Sequence, residues 1–350
     1  MEGLVFVGGK LGAELKQRPI PKIVKPDDVL VRIKGAGICG TDIGVINGKF
    51  PIPENTIIGH EAAGLVEKIG DGCLRIKCGD RVGINPAKGC DKCKLCSTGK
   101  PNLCEKGGLS CYMGLSVVNG ALTDYVVIAE ELLFKIPDDL SFEKAVLCET
   151  MSTVVRGYDQ MKPLDEDSKI LVLGGGITGT LAASLLIDEG FTDFTVCQRS
   201  QARQENIRKQ CAGFSVEVIS PDQLENAYDE SHGARSFGFD VIFESTGNPE
   251  AVENAMKYLK HGGKMVIFGC SPVDENIKVS LFEIFRKELT IVGSFIQPNT
   301  YERALEKIIS LNRQNRLDFD VLKIQTYSLS DYQKALYDLS SKSITKAIIV

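Results

Sequence analysis

Residues 170–187 read Ile170-Leu-Val-Leu-Gly-Gly-Gly-Ile-Thr-Gly-Thr-Leu-Ala-Ala-Ser-Leu-Leu-Ile187, an uncharged stretch with four glycines near its front. The apolar run before the glycines predicts a buried strand, and the run after them predicts a helix. The spacing G-x-G-x-x-G between them lets backbone amides at a helix N-terminus approach a pyrophosphate. The candidate cofactor-binding residues are Gly174, Gly176, Ile177, Thr178 and Gly179. An ordinary tight turn is the alternative, and the glycines disfavour a membrane-spanning helix.

Further along the chain, short apolar segments alternate with stretches of helical pattern. The segments predicted as strands are residues 193–197, 239–243, 264–268 and 289–292. Such alternation after a glycine loop is typical of a doubly wound parallel sheet. We therefore predict an α/β fold with a Rossmann-type cofactor domain.

The end of the second predicted strand bears on the choice of coenzyme. Sites that bind NAD usually place Asp or Glu about 20 residues past the glycine loop. Here that position falls on Gln198, and Arg199, Ser200 and Arg203 follow it. No carboxylate repels a 2′-phosphate there, and a guanidinium can bind one through paired hydrogen bonds. We therefore predict a preference for NADP(H) over NAD(H); the alternative is that the arginines only solvate a surface loop.

The composition excludes several classes of function. The chain has 350 residues, 43% hydrophobic and 25% charged, which suits two or three globular domains and argues against disorder. Its 41 basic and 46 acidic residues give a scattered net charge of −5, so we expect no nucleic-acid partner and no membrane partner. The N-terminal residues lack the features of a secretory signal, and we expect a cytoplasmic protein.

Four of the twelve cysteines fall close together, at Cys90, Cys93, Cys96 and Cys104. Three thiolates at three-residue steps can surround one ion, and a fourth from across a short loop completes a tetrahedron of sulfur ligands. We predict a structural zinc site with no open position for chemistry. The alternatives are free loop thiols and two local disulfides, which would be strained across such short spans. An iron–sulfur cluster stays open on ligand type alone.

A second set of candidate ligands is spread over three segments. Cys39 follows an alternating run that predicts a strand, His60 and Glu61 are adjacent, and Glu149 comes later. A lone histidine is usually a packed or surface residue. Together, however, these side chains offer the mixed S, N and O ligands of a catalytic zinc with an exchangeable position.

These motifs occur in one order, Cys39-Gly-Thr-Asp, Gly59-His-Glu, the four-cysteine loop and the glycine loop. Together they resemble the zinc-dependent medium-chain alcohol and polyol dehydrogenases, from about residue 25 to the C-terminus. Glu149 and the segment Gly293-Ser-Phe are similar to the sorbitol and polyol dehydrogenase branch. The resemblance implies a β-rich, partly barrel-like (GroES-like) catalytic domain of residues 1–150 and 295–350, with a Rossmann domain of residues 151–294. It also implies a homodimer or homotetramer, and the two ligand sets imply two zinc ions per chain.

The resemblance assigns roles around the mixed ligand set. Cys39, His60 and either Glu61 or Glu149 would hold the catalytic zinc, and the other carboxylate would act directly or through water. Asp42 would orient the His60 ring by accepting a hydrogen bond from it.

The resemblance also implies how protons and hydride move. Thr41 would carry the proton away from the alcohol while hydride passes to the nicotinamide, and Lys346 would contact the cofactor. Many relatives continue the proton relay through a histidine a few residues after the ligand cysteine. Here that position is Gly44, so we expect water or the cofactor ribose to replace it.

The substrate pocket departs from the branch it resembles. Sorbitol dehydrogenases tend to carry an arginine after the Gly-x-Phe segment, whereas this chain has Ile296 followed by Gln297. Phe50, Ile296 and Gln297 are candidates for the pocket lining, with ordinary packing as the alternative. We predict an enzyme that interconverts a secondary alcohol, of the polyol or sugar-alcohol class, with its ketone. The alternatives are a simple secondary-alcohol or threonine-type dehydrogenase and a non-catalytic nucleotide-binding sensor or structural protein.

Overall fold

The computed structural model describes residues 1–8, 12–106, 112–231 and 237–350. The chain divides into two compact units, each with its own sheet. Unit 1 contains Met1–Ser152 and Gln297–Val350, and unit 2 contains Thr153–Ile296. Among the described residues, no helix combines the length and the apolar character that crossing a membrane requires.

Unit 2 is built on a parallel sheet of six strands. In spatial order these are β10 (Ser215–Ile219), β9 (Asp193–Cys197), β8 (Ile170–Leu173), β11 (Phe239–Glu244), β12 (Leu259–Ile267) and β13 (Thr290–Gly293). All five pairings between neighbours are parallel. The central strand β8 is buried throughout, as a parallel strand covered on both faces should be.

Helices connect the strands of unit 2. They are α5 (Ile177–Asp188), α6 (Gln201–Gln210), α7 (Pro221–Glu230), α8 (Pro249–Ala255) and α9 (Leu281–Lys287). Helix α5 is apolar around its whole circumference, and residues 179–187 are all buried. Helix α7 begins with a capping box, in which Ser220 and Gln223 satisfy each other's backbone N–H groups.

Unit 1 is built on a mainly antiparallel sheet. Its strands, in spatial order, are β14 (Ile324–Tyr327), β15 (Lys346–Ile349), β3 (Asp28–Ile38), β4 (Glu61–Ile69), β5 (Arg81–Ile84) and β7 (Leu133–Lys135), with β6 (Tyr125–Ala129) paired to the first part of β3. A separate antiparallel pair is formed by β1 (Glu2–Gly8) and β2 (Gly12–Gln17). The core of this unit includes Leu4, Val31, Ile58, Ile84 and Leu122, all buried.

The helices of unit 1 have fewer than ten residues, apart from α4 (Leu147–Met161) and α10 (Tyr301–Arg313). They are α1 (Gly40–Ile46), α2 (Lys94–Ser97), α3 (Phe142–Ala145), the start of α4, α10, α11 (Phe319–Leu322) and α12 (Tyr332–Ser340). Helix α1 begins directly after β3, and Asp42 in its first turn accepts a hydrogen bond from the Cys39 backbone N–H at 2.8 Å. This turn places Cys39 and Thr41 at the carboxyl end of β3.

The predicted fold class, a doubly wound parallel sheet with a second β-rich domain, is confirmed. The prediction for residues 193–197 coincides with β9, but β12 begins five residues before its predicted start at 264. His261 and two glycines conceal the start of that strand. Strand β10 was not predicted, because Glu217 interrupts its short apolar pattern.

Candidate active site and metal centres

The mixed ligand set meets where two strands of unit 1 pair. Cys39 follows β3, His60 precedes β4, and Gly37 at the end of β3 lies opposite Glu61 at the start of β4. One ligand atom each from Cys39, His60 and Glu61 lie within 4.8 Å of one another. A Cβ atom on Gly37 would lie 2.0 Å from Glu61 Oε2, so glycine at this position makes room for the carboxylate.

Asp42 contacts the imidazole of His60 in this set. Its Oδ1 lies 3.3 Å from His60 Nδ1, and both side chains are buried. Burial opposes a charge on the imidazole, but the Asp42 carboxylate outweighs it and raises the pKa of His60 well above its usual range. A carboxylate at Nδ1 leaves Nε2 as the nitrogen that can bind a metal.

Glu61 is held by an ion pair that involves Lys346. The Lys346 Nζ donates to both carboxylate oxygens, at 2.6 and 2.8 Å, and Thr150 donates a third hydrogen bond at 3.1 Å. Burial opposes the charge on Lys346, but Glu61 outweighs it and raises the pKa of the amine to about 12. The lysine predicted to contact the cofactor is therefore bound to a candidate metal ligand, and 3% of it is exposed.

Glu149 lies near this set but outside the group of three ligand atoms. The Tyr112 hydroxyl donates to its Oε1 at 2.7 Å, and the Tyr112 ring meets the His60 ring edge to face, with centroids 5.7 Å apart. Burial raises the pKa of Glu149 to about 7, with a smaller contribution from Glu61. The two carboxylates that the sequence leaves as alternatives thus have different partners, Lys346 for Glu61 and Tyr112 for Glu149.

The four-cysteine loop also brings its sulfurs together. The Sγ atoms of Cys90, Cys93, Cys96 and Cys104 lie within 4.8 Å of one another, and all four are free cysteines. The Cys93 N–H donates to Cys90 Sγ at 3.3 Å, and the Lys106 N–H donates to Cys104 Sγ at 3.4 Å. Backbone donors of this kind favour the thiolate form. Burial alone would raise the pKa of Cys104, but the hydrogen bonds outweigh it and the pKa falls to about 6.

The glycine loop follows β8 at the carboxyl edge of the sheet in unit 2. A Cβ on Gly179 would lie 2.0 Å from the Gly174 carbonyl oxygen, and Gly174 itself has φ +107°. Both positions therefore require glycine for the tight passage from β8 into α5. At Gly176 the nearest atom to such a Cβ is Arg203 Nη1, at 4.0 Å. The guanidinium of Arg203 therefore lies beside the loop.

The neighbouring side chains differ in exposure. Arg199 and Ser200 are exposed, Gln198 and Arg203 are half-buried, and the Gln198 side chain packs close to Gly175. Burial lowers the pKa of Arg203. Within the described ranges, neither Arg199 nor Arg203 has a hydrogen-bond or ion-pair partner in the protein.

Two family descriptions match the chain. The alcohol dehydrogenase GroES-like domain matches residues 25–138, and the zinc-binding dehydrogenase domain matches residues 178–310. The sorbitol dehydrogenase of Bacillus subtilis is 30% identical over 327 residues, which cover 92% of this chain and 89% of that protein. The chain belongs to the zinc-dependent medium-chain dehydrogenase family.

Other members of this zinc-dependent dehydrogenase family are similar over the same extent. D-arabinitol dehydrogenase 1 of Uromyces fabae is 28% identical, over 93% of this chain and 91% of that protein. Among solved structures, a zinc-binding dehydrogenase from Sinorhizobium meliloti bound to NADP is 26% identical, with a TM-score of 0.86 and coverage of 100% and 98%. An Escherichia coli oxidoreductase of unknown specificity is also 26% identical, with a TM-score of 0.87. The chain is therefore a zinc-dependent alcohol dehydrogenase, an oxidoreductase that acts on alcohols and ketones.

In this dehydrogenase, the Phe50 ring lies against Gly44, the position at which the sequence lacks a histidine to continue the proton relay. A Cβ on Gly44 would lie 2.5 Å from Phe50 Cε2, so the Phe50 ring occupies the space that a longer side chain would need. Thr41 is half-buried, and the Cys39 Sγ lies 3.6 Å from its Oγ1. The threonine hydroxyl is therefore beside the candidate ligands of this zinc-dependent dehydrogenase.

The pocket candidate Gln297 is buried in unit 1, with 3% of it exposed. The Ser152 hydroxyl contacts its Oε1 and also donates to the Glu149 carbonyl oxygen at 2.6 Å. Sequence analysis missed both Ser152 and Tyr112. No local motif marks either residue, because their importance comes from the tertiary contact with Glu149.

Proposed function

We propose that the chain interconverts a secondary alcohol of the polyol or sugar-alcohol class with its ketone, and that it prefers NADP(H) over NAD(H). The meeting of the half-buried Cys39 with the buried His60 and Glu61 in one cluster carries the catalytic part of this proposal. The curated relatives named sorbitol dehydrogenase and D-arabinitol dehydrogenase support the substrate class. So does a relative named D-xylulose reductase, which is 30% identical over 289 residues.

The residues present fit a zinc ion chemically. Cys39, His60 and Glu61 would hold it, with Glu149 as the alternative carboxylate, and Asp42, 3.3 Å from Nδ1, would orient the ring of His60. When bound, zinc supplies a Lewis acid that polarises the substrate oxygen, and the nicotinamide supplies the hydride acceptor. The four sulfurs of the cysteine loop fit a second, structural zinc.

The chain's own residues would manage the proton. The Thr41 hydroxyl lies beside the ligand set, so it would take the proton from the substrate hydroxyl. Gly44 has no side chain that could pass the proton on, and the Phe50 ring fills the space beside it. The proton would therefore leave through water or the cofactor ribose.

The arginines at the glycine loop support the coenzyme preference. A half-buried guanidinium without a partner is an unfavourable arrangement, and a phosphate would satisfy it with paired hydrogen bonds. Arg203 is in that situation and lies next to Gly176. Arg199 is exposed and comes four residues earlier in the sequence, and Gln198 stands where a carboxylate would repel the phosphate.

The coenzyme preference is tested by kcat/KM for both coenzymes. Replacing Arg203 or Arg199 by alanine should raise KM for NADP(H) about 10-fold to 150-fold, the worth of one charge-assisted hydrogen bond. KM for NAD(H) should change little. Lys209→Ala, which removes an exposed charge from the same helix, is the matched control. A wild-type preference for NAD(H) would refute both the arginine roles and the position given to Gln198.

The overall activity is tested by initial rates of the zinc-loaded protein with polyols, ketoses and simple secondary alcohols. We expect zinc-dependent reduction or oxidation with a higher kcat/KM for polyols. Turnover restricted to unsubstituted secondary alcohols would favour the simpler dehydrogenase. A loaded protein with no turnover of any alcohol would favour a sensor or structural role.

We also propose that unit 1 is the catalytic domain and unit 2 the cofactor domain.

We further propose that the chain forms a homodimer or homotetramer. Strand β13 lies at the edge of its sheet, and exposed apolar side chains stand on and near it: Leu281, Phe282, Phe285, Ile291 and Phe295. Such an edge needs cover, which supports a homodimer or homotetramer. Sedimentation of wild type as a dimer or tetramer, and of Phe285→Lys as a smaller species, is the expected result; a monomeric wild type would refute it.

A further inference from the structure

Among the described residues of unit 2, one carboxylate is buried, that of Glu244. Glu244 is the last residue of β11 and is 0% exposed. It lies opposite Leu173 of β8, the residue before the glycine loop, and opposite Ile267 of β12. The reaction steps proposed above make no use of this carboxylate, so its place at the carboxyl edge of the sheet has another cause.

Neutral donors surround the Glu244 carboxylate. Its Oε1 accepts from the backbone N–H groups of Thr246 at 2.6 Å and Gly247 at 2.8 Å, and from the Thr246 hydroxyl at 2.5 Å. Its Oε2 accepts from the Gly269 N–H at 3.2 Å. The Thr246 hydroxyl itself accepts from the Asn248 N–H, so its own proton points to Glu244. Glu244 accepts in all four contacts, which is the pattern of an ionised carboxylate.

The Glu244 charge has no cation beside it in the part of unit 2 that the structure describes. No lysine, arginine or histidine of those residues donates to either oxygen. Burying a carboxylate is costly, and here hydrogen bonds alone offset the cost. The negative charge is therefore not neutralised, and it can act on a charged group that is bound nearby.

The turns that hold Glu244 lie against the glycine loop. The Ser245 hydroxyl donates to the Leu173 carbonyl oxygen at 3.0 Å, directly before that loop. A Cβ on Gly269 would lie 2.1 Å from the Gly247 nitrogen, so the turn after β11 and the turn after β12 touch each other. The charge of Glu244 is therefore held at a fixed place relative to the loop.

The strand order indicates which part of a coenzyme would lie near Glu244. A dinucleotide bound at such a glycine loop extends in both directions along the carboxyl edge of the sheet. Gln198, at the position that meets the adenosine ribose, follows β9 on one side of β8. The nicotinamide half would therefore extend to the other side, toward the ends of β11 and β12.

We infer that Glu244 discriminates between the two redox states of the coenzyme and favours the oxidised one. The nicotinamide ring is positively charged when oxidised and neutral when reduced, so the buried carboxylate attracts only the oxidised ring. This attraction also shifts the equilibrium on the enzyme toward oxidised coenzyme and alcohol. The inference rests on the proposed function for a nicotinamide coenzyme, but not on the choice between NAD(H) and NADP(H), because both carry the same ring.

The test measures the dissociation constants of NADP⁺ and NADPH for the zinc-loaded full chain by isothermal titration calorimetry. Glu244→Gln keeps an oxygen for the three hydrogen bonds at Oε1 and removes the charge. The dissociation constant of NADP⁺ should rise about 5-fold to 30-fold more than that of NADPH. Glu244→Asp keeps the charge, so the ratio of its two constants should stay that of wild type even where both affinities fall.

Two control variants separate the charge from the structure of the turn. Thr246→Val removes the hydroxyl donor and keeps the charge of Glu244, so it should weaken both forms of the coenzyme equally. Glu253→Gln removes an exposed charge of unit 2 and should change neither affinity.

Equal weakening of NADP⁺ and NADPH binding in Glu244→Gln would overturn the inference, and so would an equal change of their ratio in Thr246→Val. A wild type that prefers NAD(H) would refute the proposed coenzyme preference, and the ratio would then be measured with NAD⁺ and NADH. A loss confined to the oxidised form, in a protein that turns over no alcohol, would support the inference and count against the proposed function alone.

Discussion

The two candidate metal centres of unit 1 are built in opposite ways. The cysteine loop takes all four ligands from residues 90–104, where the regular structure is the single turn α2 and a 3₁₀ turn at Pro101–Leu103. The mixed set takes its ligands from the ends of β3 and β4, and Lys346 on β15 holds one of them. A loop of this kind depends on its ion for its shape, whereas the sheet positions the mixed set by itself. Loss of the ion from the cysteine loop should lower the stability of the protein, and loss of the ion from the mixed set should lower its activity.

The largest expected effect is on turnover. His60→Ala should lower kcat/KM by at least about 10³-fold, because the metal contributes several kcal/mol of transition-state stabilisation. The protein should keep its far-UV circular dichroism spectrum and bind one zinc fewer by elemental analysis. His261→Ala is the control, since that histidine is exposed in unit 2. Residual activity above a few per cent would show that the mixed set is not the catalytic metal site.

Thr41 tests the chemistry of the mixed set without removing a ligand. Thr41→Ala should lower kcat by about 10²-fold to 10⁴-fold, the usual range for a group that transfers a proton in the transition state. Thr41→Ser keeps the hydroxyl and should recover most of the activity. Zinc content should stay unchanged in both variants. An alanine variant within a few-fold of wild type would show that the proton takes another route.

The cysteine loop should respond in stability. Cys96→Ser should remove one zinc and lower Tm by roughly 5–10 °C, because binding of a structural metal contributes directly to folding. Differential scanning calorimetry measures the shift. Cys78→Ser, at an exposed free cysteine of the same unit, should change Tm by less than about 1 °C. If Cys96→Ser kept both its metal and its Tm, the loop would not be a structural metal site.

Asp42 is expected to give the smallest effect. Asp42→Asn removes the negative charge beside His60, so zinc affinity at the mixed set should fall about 10-fold to 100-fold. Competition with a chelator measures this affinity. The affinity of the cysteine loop should not change, which makes that loop an internal control. Equal weakening at both sites would indicate a general loss of structure.

Local patterns predicted most of the fold. The glycine spacing of residues 174–179 identified the Rossmann unit because the passage from strand to helix requires glycine at fixed positions. The cysteine loop was equally visible, since all its ligands lie in one segment. The joining of residues 1–150 and 295–350 into one domain has no such local signal, and that prediction came from the family resemblance.

The residues that sequence analysis missed act through tertiary contacts. Nothing around Tyr112 distinguishes it from any buried tyrosine until the fold brings it to Glu149. Lys346 was predicted as a cofactor contact, but the pairing of β15 with β3 carries its amine to Glu61. The exclusion of a relay side chain at Gly44 likewise depends on where the Phe50 ring falls.

The position of β15 constrains the order in which the protein can form during synthesis. Residues 346–349 insert between the edge strand β14 and β3 in the sheet of unit 1, and they are all buried. Unit 2 is one continuous segment and can fold as soon as residue 296 has left the ribosome. Unit 1 must wait with an open gap in its sheet until β15 is translated. The strand that closes the gap also delivers Lys346 to Glu61, so the proposed catalytic centre is complete only after β15 has paired.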